Sequence, residues 1–282
     1  MRCRLPAILL CALTLFPAGA VTAATLDRIR DSGTIKLGYR EDAAPFSFAD
    51  ASGLPAGYSV ALCQVVASAV RSQLQREDIR IEYVLVTTEN RFELLQSGGI
   101  DLLCGASSVT LERRRRVDFS LLTFVTGSSV LYRKDGPSNF LDLVGQKVGV
   151  RAGTTTEEGL ERALLEAGIE AEVVEVESHD EGLRELEAGE LAAYFADRAI
   201  LMLLGTGADN PGNLILSDRF FSYEPYALAL QHGDSDFRLL VDSVLARLYR
   251  SPDIAKIYNA SFGSGRMSDL LRAVFTLQAL PE

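Results

Sequence analysis

The chain alternates between short apolar runs and longer amphipathic stretches. Short apolar runs bounded by glycine, serine or charged residues predict strands, whereas apolar residues that recur every three or four positions predict helices. The predicted strands are residues 34–39, 79–85, 100–104, 147–150, 172–176 and 192–196. The predicted helices are residues 58–74, 89–97, 155–167 and 180–188. Alternating strands and helices are typical of an α/β protein whose sheets are covered by helices.

These elements fall into two successive series, which indicates two lobes. A mature chain of about 260 residues is also longer than a single core usually supports. No proline-rich or serine-rich linker separates the two series, so extended strands rather than a flexible tether should join the lobes. We expect the crossings near residues 122–127 and 222–226.

The N-terminal residues have the pattern of an export signal. Arg2 and Arg4 precede the apolar run 5–16, and small residues follow up to Ala24. The apolar run is too short to span a bilayer. Cys11 lacks the small residue expected just before a lipidated cysteine, so we predict cleavage of residues 1–24 and release of a soluble protein.

Charge limits the partners of the mature chain. The formal charge of −10 becomes −12 once Arg2 and Arg4 leave with the signal, since no acid leaves with them. Such an acidic protein is a poor binder of nucleic acid. An acidic ligand would need a local basic pocket, which Arg40, Arg91 and Arg113 could provide.

Cysteine usage predicts one disulfide. Removal of the signal takes Cys3 and Cys11, which leaves Cys63 and Cys104 in an oxidising compartment. Cys63 lies on the first long helix, and Cys104 ends a strand that this helix should cover. The alternative is two buried thiols. The sequence has neither a CxxC motif nor a histidine cluster, so we predict no metal and no cofactor.

Residues 90–120 contain the strongest candidate for an anion site. A predicted strand ends at Cys104, the small-residue loop 105–108 follows, and Thr110 is a suitable N-cap for a helix. Arg113, one turn later, could offer a bidentate fork to a carboxylate. The alternative for the arginine run is a solvated helix face, which we adopt for Arg114, Arg115 and Arg116.

Several segments, in order along the chain, resemble the family 3 periplasmic solute-binding proteins, which bind amino acids for ABC importers. They are GYRE at 38–41, TENR at 88–91, CG at 104–105, SVTLER at 108–113, VDFS at 117–120, GTTTE at 153–157, and SH at 178–179 ahead of LEAG at 186–189. The resemblance covers nearly the whole chain after the signal. It is strongest to members that bind glutamate and aspartate.

The resemblance implies a type II periplasmic binding protein fold. Each lobe would be a βα sandwich, and two crossover strands would join the lobes. Lobe 1 would comprise residues 25–124 and 226–282, because the chain returns to it, and lobe 2 would comprise residues 125–225. The implied protein is a periplasmic monomer that closes on an acidic L-amino acid and delivers it to an ABC permease in the inner membrane, without catalysis.

The resemblance and the residue types together assign groups to the backbone end of such a ligand. Arg113 and the backbone N–H groups of Ser108 and Thr155 would hold the α-carboxylate. Asp197, the Ser108 hydroxyl and the carbonyl of Ala106 would hold the ammonium. Related proteins have a hydroxyl residue where this chain has Ala106, which should lower affinity. The alternatives are plain helix capping for Thr155 and a turn or N-cap for Asp197.

The ligand side chain would meet Arg40 and Arg91, supported by Thr88 and His179. Relatives that bind basic amino acids have an acid at the position of Arg40, so an arginine there points to glutamate or aspartate. The alternatives are an exposed ion pair of Arg40 with Glu41 or Asp42, a surface position for Arg91, and a loop histidine without a role.

Other functions remain open at this stage. The same fold includes a cyclohexadienyl dehydratase, in which His179 could transfer a proton, although a pocket that is cationic at both ends lacks an apolar wall for a ring. A sensory subunit for a receptor kinase is a third possibility. Glutamine, asparagine and related dicarboxylic compounds remain alternative ligands.

Overall fold

The computed structural model describes residues 24–263 and 265–281, so all but the last residue of the predicted signal lies outside the described part of the chain. The α-helices are α1 Thr25–Ser32, α2 Tyr58–Leu74, α3 Arg91–Ser97, α4 Thr155–Ala167, α5 His179–Ala188, α6 Arg198–Gly207, α7 Ser235–Tyr249, α8 Asp253–Phe262 and α9 Asp269–Gln278. The strands are β1 Thr34–Tyr39, β2 Asp42–Ala43, β3 Ser47–Ala49, β4 Pro55–Ala56, β5 Arg80–Leu85, β6 Leu102–Leu103, β7 Val117–Thr126, β8 Ser128–Arg133, β9 Lys147–Arg151, β10 Glu172–Val176, β11 Ala193–Asp197, β12 Leu214–Leu216 and β13 Glu224–Gln231.

Two five-stranded sheets organise the molecule. The first has the order β5-β1-β6-β13-β7 and the second the order β10-β9-β11-β8-β12. In each sheet a parallel set of three strands, β5-β1-β6 or β10-β9-β11, continues into antiparallel neighbours. We call each sheet with its helices the first and the second lobe. The predicted α/β class with two lobes is confirmed, whereas the residue boundaries of the lobes stay a prediction.

The chain crosses between the sheets at two adjacent places. Strand β7 of the first sheet and β8 of the second are separated only by Gly127, and β13 returns to the first sheet with Glu224 paired to Thr126. A Cβ atom on Gly127 would lie 2.3 Å from the carbonyl oxygen of Ser222. A side chain at Gly127 would therefore push the two crossings apart.

The core of the first lobe forms where α2 packs on the sheet. Its apolar face, including Leu62, Val66 and Val70, is fully buried. Cys63 on this face forms a disulfide with Cys104, with Cα atoms 6.1 Å apart, which confirms the predicted pair. The bond ties α2 to the start of the loop 105–108. A cross-link of this kind typically contributes about 2–4 kcal/mol to the free energy of unfolding.

Element boundaries differ from the predictions mainly around residues 100–116. The strand predicted over residues 100–104 shortens to β6, and the helix expected after Thr110 is a single 3-10 turn over Arg113–Arg115. Thr110 still caps that turn, since its Oγ1 accepts a hydrogen bond of 3.1 Å from the backbone N–H of Arg113. The turn is short because β7 begins at Val117. The other predicted elements match or shift by one or two residues at one end, except that the strand predicted over 192–196 is displaced by one residue at both ends as β11.

None of the helices in the described segments combines the length and apolar character needed to cross a bilayer.

Candidate functional site

The candidate site lies between the two lobes, which contact each other directly. Thr155 Oγ1 of the second lobe lies 3.3 Å from the Oγ of Ser108, within hydrogen-bond distance. Arg91 Nη2 of the first lobe donates to the carbonyl oxygen of Gly153 at 3.2 Å. Arg151 Nε of the second lobe donates to Asp42 at 3.2 Å. These contacts describe a closed arrangement. The residues predicted to bind the ligand lie along the boundary between the two lobes, which we call the seam.

The loop 105–108 is fixed against strand β13. Ala227 donates its backbone N–H to the carbonyl of Ser107, and Val109 donates its backbone N–H to the carbonyl of Pro225. Ser107 and Ser108 are buried, and Ala106 is half-buried. Hydrogen bonds to a strand and a nearby disulfide hold this loop, so its polar groups meet a ligand without a large loss of conformational entropy.

Arg113 enters the seam beside this loop. Its Nη1 donates to the carbonyl of Ser108 at 3.0 Å, and its guanidinium carbon lies 5.4 Å from the centroid of the Phe92 ring. Arg113 is half-buried, whereas Arg114, Arg115 and Arg116 are exposed as predicted. No carboxylate among the described residues forms a salt bridge with Arg113. Burial lowers its pKa, against the opposing effect of nearby acids such as Glu224.

Arg91 opens α3 and is 5% exposed, so it is not a surface residue. Besides its bond to Gly153, it donates to the carbonyl of Thr88 and lies over Phe92, with the guanidinium carbon 4.7 Å from the ring centroid. Burial, followed by the charges of Arg113, Arg40 and other neighbours, lowers the pKa of Arg91 to about 9. No carboxylate in the described part of the chain forms a salt bridge with it.

Asp197 ends β11 and faces the same seam. It occupies the N-cap position of α6, but its side chain makes no capping hydrogen bond. Its Oδ1 atom is buried and has no hydrogen-bond partner among the described residues, and the same is true of the Tyr226 hydroxyl. Burial and the charge of Glu224 raise the pKa of Asp197 to about 7, although Tyr226 lies near enough to oppose the shift. The Tyr226 hydroxyl faces this carboxylate, and Asp197 has no salt-bridge partner among the described residues, so it is an acid without a counter-charge.

Thr155 begins α4, but the residue before it caps the helix. Thr154 Oγ1 accepts a hydrogen bond from the backbone N–H of Glu157 at 3.2 Å. The Thr155 hydroxyl is thus available to the seam, where it donates to Glu224 Oε2 at 2.8 Å. Glu224 is 3% exposed and also accepts from the Ser222 hydroxyl.

Thr88 and Gly153 show how closely the lobes approach. Thr88 is buried and donates its hydroxyl to Glu89. Gly153 has a φ of +69°, and a Cβ atom there would lie 3.3 Å from the Cβ of Thr88. A larger residue at Gly153 would strain the backbone and crowd the opposite lobe.

Arg40 differs from the prediction of a free guanidinium or an exposed ion pair. It is 5% exposed, and its Nε and Nη2 donate to the two carboxylate oxygens of Asp42, each at 2.8 Å. Its partner is Asp42 and not Glu41, which is exposed. Arg151 binds the same carboxylate from the other lobe. Arg40 is therefore already paired.

His179 is buried behind this group and is not a simple loop residue. Its Nδ1 lies 2.8 Å from the hydroxyl of Tyr194. Burial lowers its pKa to about 3, and the charges of Arg40 and Arg151 act in the same direction against that of Asp42. The ring is uncharged at neutral pH, so His179 adds no positive charge to the seam.

The sequence analysis missed Glu89, Arg151, Glu224 and Tyr226 as residues of the seam, and it considered Asp42 only as a partner of Arg40 in an exposed ion pair. A signal existed for Arg151, because it ends an apolar strand next to the Gly153 loop just as Asp197 ends β11. Within the described residues no group of His, Cys, Asp and Glu side chains is arranged to hold a metal ion.

Comparisons with solved structures agree with the two-lobed architecture. A mutant of ArgBP from T. maritima superposes with a TM-score of 0.75 at 26% identity, over 85% of this chain and 100% of that chain. The ancestral amino acid-binding protein AncCDT-1, a precursor of cyclohexadienyl dehydratase, superposes with a TM-score of 0.73 at 27% identity, over 85% and 100% of the two chains. The predicted type II fold is confirmed.

Comparison of the sequence with known proteins shows the family to which this chain belongs. The chain is 33% identical over 240 residues to the L-glutamate/L-aspartate-binding protein of Pseudomonas aeruginosa, covering 84% of this chain and 80% of the relative. It is 30% identical over 270 residues to the glutamate/aspartate import solute-binding protein of Escherichia coli K12, covering 93% and 89%. The pattern of the bacterial extracellular solute-binding proteins, family 3, matches residues 35–264. This chain belongs to that family.

Proposed function

We propose that this protein captures an L-amino acid with an acidic side chain, glutamate or aspartate, by closing its lobes around it. The observation that supports this proposal most strongly is a set of charged side chains in the seam that have no partner of opposite charge. Arg91 and Arg113 have no carboxylate partner among the described residues, and Asp197 has no cationic partner there. An amino acid with an acidic side chain supplies two carboxylates and one ammonium, which complements this set.

The subsites follow from the positions of these groups. Arg113, beside the fixed loop 105–108, binds the α-carboxylate together with backbone N–H groups of Ser108 and Thr155. Asp197 accepts from the ammonium, with the carbonyl of Ala106 and the Ser108 hydroxyl as further partners. Arg91, with Thr88 nearby, binds the distal carboxylate. Arg40 and His179 support this end of the cleft without contributing a free charge.

Lobe closure provides the binding mechanism. Arg91 and Arg113 belong to the first lobe, whereas Asp197 and Thr155 belong to the second, so one ligand meets all of them only when the lobes are closed. The ligand shifts the population toward the closed form because it binds that form better. The names of the glutamate and aspartate relatives support this assignment. We extend it to release into the periplasm by a cleaved signal and delivery of the ligand to an ABC permease.

An enzymatic role has less support. A dehydratase on this fold would need a proton donor or acceptor in the cleft. The shift of the pKa of His179 to about 3 leaves the ring unprotonated at neutral pH and a weak base. One ring nitrogen is also engaged by Tyr194.

Isothermal titration calorimetry with a panel of L-amino acids tests the proposed function. We expect glutamate or aspartate to bind more tightly than glutamine, asparagine, neutral and basic amino acids. Tightest binding of a neutral or basic amino acid, or binding of none, would contradict the proposal.

A further inference from the structure

A second polar cluster lies in the seam and is already complete without a ligand. It consists of Arg40 and Asp42 from the first lobe and Arg151 from the second, which we call the Asp42 cluster. Arg40 donates from Nε and Nη2 to the two oxygens of the Asp42 carboxylate, each at 2.8 Å, and Arg151 Nε donates to one of these oxygens at 3.2 Å. The three side chains are 6%, 13% and 6% exposed. A carboxylate buried between two guanidinium groups is the arrangement by which proteins bind a carboxylate ligand.

The surroundings hold the Asp42 carboxylate in its ionised form. Burial by itself would raise the pKa of Asp42, but the charges of Arg40 and Arg151 outweigh it, and the pKa lies below its ordinary value. Glu89 is the other acid facing Arg151, with Oε1 3.8 Å from Nη1, and it is largely exposed. The Tyr194 hydroxyl lies 2.8 Å from Nδ1 of the uncharged His179.

We propose that Asp42 is a specificity-determining residue, a resident carboxylate that fills a carboxylate subsite built by Arg40 and Arg151. It thereby limits the ligand to one carboxylate beyond the α-carboxylate, which Arg91 receives. This inference rests on the proposed function for the identity of the ligand. The existence of the subsite itself follows from the three side chains alone.

Removal of the Asp42 carboxylate should open the subsite to a ligand. The Asp42→Ala variant leaves the two buried guanidinium groups with less negative charge, so a ligand with one additional carboxylate should gain affinity. γ-Carboxy-L-glutamate is a suitable probe because it differs from glutamate by a single carboxylate. Glu41→Ala is the matched control, since Glu41 is the exposed neighbour of Asp42 and its loss changes the net charge equally.

The first measurement is calorimetric titration of glutamate and γ-carboxyglutamate into the parent, Asp42→Ala and Glu41→Ala proteins. We expect the parent and Glu41→Ala to prefer glutamate. In Asp42→Ala the ratio of the two affinities should move toward γ-carboxyglutamate by roughly tenfold to a hundredfold. An unchanged ratio, or an equal change in Glu41→Ala, would overturn the proposal. If Asp42→Ala does not fold, Asp42→Asn removes the same charge with little change of shape.

The second measurement does not depend on the identity of the amino acid. Thermal unfolding is followed in sodium acetate and in sodium chloride at equal ionic strength. Acetate should enter the vacated subsite and raise the Tm of Asp42→Ala by about 2–5 °C, with no such difference in the parent or in Glu41→Ala. Absence of this rise would overturn the subsite. If the parent instead prefers a neutral amino acid, the proposed function is wrong, and the acetate result still decides whether the subsite exists.

Discussion

Arg40 and Arg91 are both buried arginines of the first lobe, and both lie at the seam between the lobes. Their sequence contexts look alike, since each is followed or preceded within two residues by an acid. In the structure Arg40 forms a bidentate pair with Asp42, whereas Arg91 donates only to carbonyl oxygens. Burial is therefore a poor guide to which arginine binds a ligand. The informative difference is whether the protein itself supplies the counter-charge.

The same distinction applies to the acids of the second lobe and the crossing strand. Glu224 accepts hydrogen bonds from two hydroxyl groups, whereas the buried oxygen of Asp197 accepts none. A buried polar group without a partner costs about 1–3 kcal/mol, and a ligand that satisfies it recovers that cost on binding. Among the groups assigned to the ligand this applies to Asp197, whereas Arg91 and Arg113 already donate to carbonyl oxygens and would gain a counter-charge.

The largest effect should come from Arg113. The Arg113→Ala variant loses the partner of the α-carboxylate, which typically costs about 3–5 kcal/mol, so affinity for every amino acid should fall by a hundredfold or more. Calorimetry measures the change, and Arg114→Ala is the control because its side chain is exposed one position away. Equal effects of the two substitutions would remove Arg113 from the site.

The next effect sharpens the comparison of Arg91 with Arg40. In Arg91→Met the preference for glutamate over glutamine, expected to be about 2–4 kcal/mol in the parent, should collapse. Arg40→Met should keep most of that preference, because Arg40 is already paired with Asp42. Titration of both ligands into both variants distinguishes them. A collapse caused by Arg40→Met alone would reverse our assignment, and replacing both arginines should give no further loss beyond that of Arg91→Met.

A smaller effect concerns pH and Asp197. The pKa of this acid is raised to about 7, so the unliganded protein holds a proton there below that pH, and the group disfavours folding as the pH rises. The ammonium of a ligand favours the ionised form of Asp197, so binding at low pH requires the Asp197 carboxyl to lose its proton. Affinity should therefore fall as the pH drops from 7 to 5, by up to about tenfold per unit. Asp197→Asn should bind weakly and lose this dependence, and calorimetry in buffers of different ionisation enthalpy should detect proton release in the parent.

The smallest effect is expected at the contact between the lobes. Thr155→Val removes a hydroxyl that donates to Glu224, which should weaken binding by about 1 kcal/mol. Thr155→Ser keeps the hydroxyl and is the control. Small-angle scattering of the liganded protein should show a larger open fraction for valine than for serine. Identical behaviour of the two variants would mean that this hydrogen bond does not contribute to closure.

The fold was predictable to a large extent because its signals are local. Helices α2 and α4 follow from apolar periodicity, a glycine or threonine start and a clear end, and the structure has them at the predicted residues. The length of the helix after Thr110 was overestimated because β7 begins at Val117, and the pairing of that strand with the sheet is not visible in the local sequence. The pairing of Cys63 with Cys104 was predictable since only those two cysteines lie beyond the predicted signal.

The candidate site was only partly predictable, because pairing of charges depends on distances between lobes. The sequence indicates Arg113 and Asp197 through their positions after a loop and a strand. It offers Glu41 and Asp42 equally as partners of Arg40, and it does not indicate that the pair with Asp42 is buried or that Arg151 of the second lobe binds the same carboxylate. Those contacts require the closed arrangement, and they decide which arginines retain a free charge.

A crystal structure of the protein with bound glutamate or aspartate is the most direct test of the central claim that the unpaired groups are the ligand subsites. We predict the α-carboxylate on Arg113, the ammonium on Asp197 and the distal carboxylate on Arg91, while Asp42 stays between Arg40 and Arg151. A distal carboxylate bound by Arg40, with Asp42 displaced, would contradict this account.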